Sequence, residues 1–160
     1  MLRFNGYSIV LQEVPDEISL VFNITGCPYG CDGCHSKYLW DASAGELLYD
    51  NMYEIIDKHR EEISCICFMG GDHDLDDLVR LINKIRYWYP ELKIALYTGK
   101  DVPDPILWDL VDYLKIGHYD KELGGLNSPT TNQKMYRIKK HAENITHKFQ
   151  PKGLTDDNQN

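Results

Sequence analysis

The chain has 160 residues, 42% hydrophobic and 26% charged, with a formal net charge of −8. That size and balance suit one buried core, and the acidic surplus is the wrong sign for broad electrostatic binding to nucleic acid. No apolar run approaches the roughly 20 residues of a membrane span, and the N-terminus lacks a signal-peptide pattern, so a cytoplasmic protein without membrane attachment is expected.

In chain order, Ile18, Leu20, Phe22 and Ile24 alternate with other residues and read as a strand ending at Thr25-Gly26. From Glu46 to Ile63, Leu48, Met52, Ile55, Ile56 and His59 recur at helical spacing. A short apolar run, Cys65 to Met69, stops at Gly70-Gly71 and reads as a second strand. Residues 75–89 carry an apolar stripe through Leu75, Leu78, Val79, Ile82 and Ile85 that ends before Pro90, a second helix. Lys93 to Tyr97 reads as a third strand. A helix starting near Asp104-Pro105 turns Ile106, Leu107, Leu110 and Val111 inward, and Tyr113 to Ile116 is a fourth strand. Beyond Gly117 the pattern weakens: Asn127-Ser128-Pro129 is a turn, and residues 133–149 hold a short strand or helix. The basic group Arg137, Lys139, Lys140 and His141 reads as a solvated surface, and the polar tail from Gly153 as disordered.

Alternating strands and helices imply an α/β fold of parallel strands with helices outside, one domain over residues 1–152 followed by the tail 153–160. A closed eight-stranded barrel needs about 250 residues, so a partial, open (β/α) barrel is expected. The cysteine loop, Gly70-Gly71-Asp72, Thr98-Gly99 and Gly117-His118 each follow a proposed strand. They should therefore meet on the C-terminal edge of the sheet, where parallel α/β folds build their sites.

Five cysteines in such a chain point to metal or redox chemistry rather than to a disulfide framework, and three of them fall within Gly26-Cys27-Pro28-Tyr29-Gly30-Cys31-Asp32-Gly33-Cys34-His35. Cys27, Cys31 and Cys34 can supply three thiolates from one loop to a [4Fe–4S] cluster, leaving one iron open to a chelating substrate. The competing reading is a zinc site completed by His35 or a distant residue. However, His35 abuts Cys34, and no second Cys-x-x-Cys pair is present. Cys65 and Cys67, on one strand face, read as core thiols.

This spacing resembles the signature of the radical S-adenosylmethionine enzymes. Met69-Gly70-Gly71-Asp72 looks like that family's Gly-Gly-Glu segment, Tyr97-Thr98-Gly99 matches an aromatic-Thr-Gly, and Thr130-Thr131-Asn132-Gln133 approximates a Ser-x-Asn-Gln. Gly33-Cys34-His35 followed by Trp40 is similar to the variant loop of the anaerobic ribonucleotide reductase activating enzymes. The resemblance spans about residues 18–137. It departs at His73, where a proline is usual, at Lys115 to Tyr119, where an Asp-Gly pair is usual, and at Glu13 to Glu17, where glycines are usual.

The resemblance implies that S-adenosylmethionine chelates the open iron and is split reductively, giving a 5′-deoxyadenosyl radical. That radical would take hydrogen from a glycine of the anaerobic ribonucleotide reductase large subunit, with a flavodoxin- or ferredoxin-type protein as electron donor. It further implies cofactor contacts from Gly33, Cys34, His35, Gly70, Gly71, Asp72, Thr98 and Lys115. A side chain at Gly71 is expected to intrude where the cofactor lies, and Lys115 either grips its carboxylate or points outward. The alternative within the family is an enzyme acting on a small molecule, resembling a deazapurine synthase, for which the chain offers few further substrate-binding segments. Anaerobic reconstitution should load about four irons per chain, as three cysteine ligands of a cubane require. Iron and zinc analysis checks this, and stoichiometric zinc without iron uptake would refute it.

Overall fold

In the computed structural model, which describes residues 1–151, eight strands form one sheet in the order β3-β1-β2-β4-β5-β6-β7-β8. The strands are β1 (Arg3–Val10), β2 (Ser19–Ile24), β3 (Glu46–Leu47), β4 (Cys65–Met69), β5 (Lys93–Tyr97), β6 (Tyr113–Ile116), β7 (Lys134–Ile138) and β8 (Ala142–Asn144). The helices are α1 (Leu48–His59), α2 (Leu75–Trp88) and the single turn α3 (Leu107–Leu110). The four strands expected from the sequence pair in parallel as β2–β4, β4–β5 and β5–β6. The pairs β1–β2, β1–β3, β6–β7 and β7–β8 are antiparallel. An all-parallel sheet is therefore corrected to a mixed α/β architecture in which antiparallel pairings outnumber parallel ones and flank a parallel centre.

Strand alternation divides the core. Leu20, Phe22 and Ile24 of β2, Ile66 and Phe68 of β4, and Ile94 and Leu96 of β5 pack with Leu48, Met52 and Ile56 of α1, Leu78, Leu81, Ile82 and Ile85 of α2, and Leu107 and Leu110 of α3. All three helices thus join the cluster on one sheet face. Phe22 anchors it, stacked on Phe68 at 6.1 Å and edge-on to Phe4 at 5.5 Å. On the other face Val21, Cys65, Cys67, Ala95, Tyr113 and Met135 are covered by Val14, Leu126 and Ile145, with Phe149 of the short 3-10 turn Thr146–Phe149 packed against them. With both faces of β4 covered, Cys65, Ile66, Cys67 and Phe68 are all buried, which is why that strand reads as a continuous apolar run.

Local signals set the helix limits. Asp74 caps α2 by accepting from Asp77 N–H, and Asp77 in turn accepts from Leu2 N–H at 2.7 Å, tying the N-terminal strand to the helix. The first helix is shorter than its pattern suggested, because Glu46 and Leu47 pair with Phe4 and Arg3 as a strand. Residues 1–17, for which the sequence suggested no element, hold β1. Lys139, Lys140 and His141 are exposed at the turn between β7 and β8. The tail expected to be disordered lies outside the described residues.

Glu17 closes the N-terminal end of the parallel strands. Its carboxylate, 6% exposed, accepts from Ser64 Oγ at 2.5 Å, Lys93 Nζ at 2.6 Å and the Tyr113 hydroxyl at 3.1 Å. Burial alone would raise its pKa; the hydrogen bonds from Lys93, Ser64 and Tyr113 outweigh burial and hold it below the ordinary value. A carboxyl held low contributes stability that is present above its unfolded pKa and is lost as pH falls through the folded one. Glu17→Gln should therefore cost about 1.5–3 kcal/mol near neutral pH. In denaturant melts, that difference should shrink as pH falls below the ordinary glutamate range; a pH-independent difference would refute the role of the charge.

Candidate metal centre

The parallel register lays residues of neighbouring strands side by side. Asn23 pairs with Met69, Met69 with Tyr97, Tyr97 with Lys115, and Lys115 with Met135, a single row at the C-terminal edge. Past that row the strands stay joined, with Gly70 N–H donating to Tyr97 O at 3.0 Å, Thr98 N–H to Lys115 O at 2.9 Å and Gly117 N–H to Lys100 O at 2.8 Å. These bonds fix the rim on which the cysteine loop rests.

The loop leaves β2 at Gly26, whose φ of +85° turns the chain sharply. Both Gly26 N–H and Cys27 N–H donate to Leu39 O, at 2.7 and 3.1 Å, and the buried Leu39 side chain pins the loop's far end. Within the loop Cys34 N–H donates to Cys31 O at 3.1 Å, and Ser36 N–H donates to Cys34 Sγ at 3.3 Å.

Cys27, Cys31 and Cys34 line one cavity of about 190 Å³ together with Gly70, Gly71, Asp72, Thr98 and Lys115. All four strand-end segments reach it through these residues, Gly99 and Gly117, while His118 faces the neighbouring cleft. Gly33 and His35 stand outside the cavity wall. A side chain at Gly33 would meet Lys121 and Tyr119, and the exposed His35 ring packs 5.9 Å from Tyr119. Among the described residues, no three His, Cys, Asp or Glu side chains gather where a single ion would sit, so the thiols are spread around a shared space. Apolar walls from Ile24, Pro28, Leu39 and Met69 complete a pocket suited to a group wider than one ion.

Two buried charges face this cavity. Asp72, 5% exposed, accepts from Thr98 Oγ1 at 2.6 Å and from the Tyr29 hydroxyl at 3.4 Å, with Lys100 Nζ at 3.9 Å. Burial, reinforced by the Asp72 charge, pushes the Tyr29 phenol up to about 12, so it remains a donor. Lys115, 8% exposed, points inward and, among the described residues, donates only to carbonyls, Gly117 O at 2.9 Å and Thr98 O at 3.5 Å. Burial brings its ammonium down to about 8, opposed by the nearby cysteines. Burial likewise raises the Cys27 thiol, and Cys65 and Cys67 are fully buried beneath the cavity.

The sequence reading named neither Ser36 nor Leu39, both of which line the cavity. Tyr29 lies so close to Gly99 that an added Cβ would come within 2.7 Å of its ring. Tyr97 and Gln133, read from the sequence as members of Tyr97-Thr98-Gly99 and Thr130-Thr131-Asn132-Gln133, both line the cavity. A larger cleft of about 720 Å³, lined by Lys100, Asp101, His118 and Lys121 among others, shares Tyr29, Cys31, Gly99 and Tyr119 with the cysteine cavity.

The chain belongs to the family of 4Fe–4S single cluster domains, whose model matches residues 18–139. It is 27% identical over 113 residues to the anaerobic ribonucleoside-triphosphate reductase-activating protein of Enterobacteria phage T4, a match covering 65% of this chain and 72% of the phage protein. The protein of the same name from Escherichia coli K12 is 26% identical over 84 residues, covering 48% of this chain and 54% of that protein. The chain thus spans a little over half of the bacterial relative. No solved structure matches at a significant level.

Gly71 corrects one expectation. Its φ is +118°, and an added Cβ would meet Leu2 Cδ1 and Leu78 Cδ1 at 3.4 Å and Ile24 Cγ2 at 3.8 Å, so it packs towards the core side of the turn. Gly71→Val should lower unfolding free energy by about 1–3 kcal/mol through backbone strain and crowding. Denaturation measures it, and wild-type stability with selective loss of cofactor binding would reverse this assignment.

Proposed function

We propose that this chain is an activating enzyme that cleaves S-adenosylmethionine reductively and places a glycyl radical on an anaerobic ribonucleotide reductase. The observation that carries the reading is the single cavity shared by Cys27, Cys31, Cys34, Gly70-Gly71-Asp72, Thr98 and Lys115 in a 4Fe–4S single cluster domain. The names of the phage and bacterial relatives support the choice of partner. The parallel centre serves as the wall of an open (β/α) barrel, the cell compartment is the cytoplasm, and a flavodoxin- or ferredoxin-type protein supplies the electron.

Cys27, Cys31 and Cys34 would hold the cluster through their thiolates. When bound, the cluster and S-adenosylmethionine would supply the reductive carbon–sulfur cleavage and the abstraction of a glycine hydrogen. The protein binds and orients. Lys115 presents a buried ammonium that, among the described residues, hydrogen-bonds to no carboxylate, a receptor for the methionyl carboxylate. Asp72, fixed by Thr98 and Tyr29, offers the opposite charge to the methionyl ammonium. The Tyr29 ring, Leu39 and Ile24 keep water from the space between.

The decisive measurement is paramagnetic resonance on reconstituted protein, reductant, S-adenosylmethionine and the cognate reductase. A doublet-split organic radical should appear on the reductase and vanish when its C-terminal glycine becomes alanine. Deoxyadenosine formation without any radical on a reductase would instead favour a small-molecule substrate.

A further inference from the structure

The sheet ends unevenly on its β1 side. β3 pairs only with Arg3 and Phe4, so among the described residues no segment pairs with the outer edge of β1 beyond Phe4. Asn5 to Ile9 are exposed along that edge. Strand edges that must stay single are guarded by charge, by proline or by a bulge. The residues from Phe4 to Gln12 include neither a charge nor a proline. The guard that remains is a register shift between Phe4 and Tyr7, with Gly6 at a φ of +84°. It leaves Tyr7 to Val10 in regular register with Phe22 to Ser19.

Residues opposite one another in an antiparallel pair share a face, so Tyr7 and Ile9, opposite Phe22 and Leu20, lie on the helix side. Both are 37% exposed, although the Tyr7 ring already packs 6.4 Å from Phe22 and 5.9 Å from His59. Of the charges flanking this stretch, Arg3 donates to Gly45 O at 2.9 Å and His59 meets Glu62 at 3.3 Å. Glu13 lies past the end of the strand.

We infer that the outer edge of β1 pairs antiparallel with the same edge of a second copy of this chain, about a two-fold axis at Ser8. An axis perpendicular to the sheet keeps the helices of both copies on one side, which requires residues of the same face to meet. Centred on Ser8, the pairing sets Tyr7 opposite Ile9 twice, and Ser8 opposite Ser8 of the second copy. Aromatic against β-branched and serine against serine are favourable cross-strand pairs. The neighbouring registers of the same facing fail. One would carry Val10 onto Phe4, which β3 already pairs, and the other would carry Tyr7 past the strand's end at Val10. Antiparallel joining also turns the C-terminal edges of the two parallel centres to opposite sides, so the two cysteine cavities face away from one another. The inference does not depend on the activity proposed above.

The test follows the full chain, with its cluster reconstituted, by sedimentation equilibrium and amide hydrogen exchange across a dilution series. Two chains should separate into one on dilution, and the amides of residues 7–10 should lose protection in step. Ile9→Lys should weaken association about tenfold. Adding Tyr7→Glu to it should restore part of that loss, because positions 7 and 9 meet across the axis. A double variant that associates no better than Ile9→Lys would overturn this pairing. Should Ile9→Lys fail to fold, Ser8→Glu at its exposed position sets two carboxylates opposite one another and should separate the copies. A single chain at every concentration would overturn the inference. So would protection of residues 7–10 that dilution leaves unchanged, since the chain itself would then cover the edge. Association that both Ile9→Lys and Ser8→Glu leave intact would put the contact elsewhere and overturn it equally.

Discussion

Parallel register across β2, β4, β5 and β6 is the constraint on which the site depends. It sets Met69, Tyr97 and Lys115 in one row and brings the segments after four strands to one edge. Because side chains alternate faces, a slip of one residue would turn Lys115 towards the helices and bring its apolar neighbours to the cavity. The apolar rows on the helix side, centred on Phe22 and Phe68, make such a slip costly. Packing on one face thereby fixes chemistry on the other.

The two ends of the parallel centre treat buried charge differently. At the N-terminal end Glu17 has a cation and two hydroxyl donors within hydrogen-bond reach, an arrangement that stabilises the fold. At the C-terminal end Lys115 has only carbonyl partners and Asp72 chiefly hydroxyl donors, with Lys100 at the limit of an ion pair. A buried charge left without a full counter-charge costs stability unless a ligand supplies one. That imbalance, at the edge where the cysteine loop sits, supports the proposal that this end is the binding end. The antiparallel flanks extend the same sheet, and β7 brings Met135 beside Lys115, with Gln133 just before the strand.

The elements legible in the sequence were those whose burial is two-sided or strictly periodic. β4 reads as an unbroken apolar run because both its faces are covered, and α2 reads as a stripe because only one of its faces is. β1 escaped notice because Asn5 to Ile9 are exposed and its register shifts between Phe4 and Tyr7, which breaks the alternation. β7 and β8 were ambiguous for a related reason: β8 is exposed throughout, so no periodic burial signals its state. Antiparallel flanks therefore entered as a correction to an all-parallel expectation.

Sequence alone determined the iron–sulfur character of the chain. Three thiols within one glycine-turned loop are a local arrangement that needs no distant partner to be recognised. It also marked the four central strands and the edge on which their following loops fall. Side-chain direction was decided only by the tertiary structure. Lys115 faces the cysteines, a side chain at Gly71 would face the core, and His35 lies outside the cavity that Gln133 joins. The physical reason is that a side chain's direction depends on the register and twist of strands far apart in sequence, and those are settled by packing across the whole sheet.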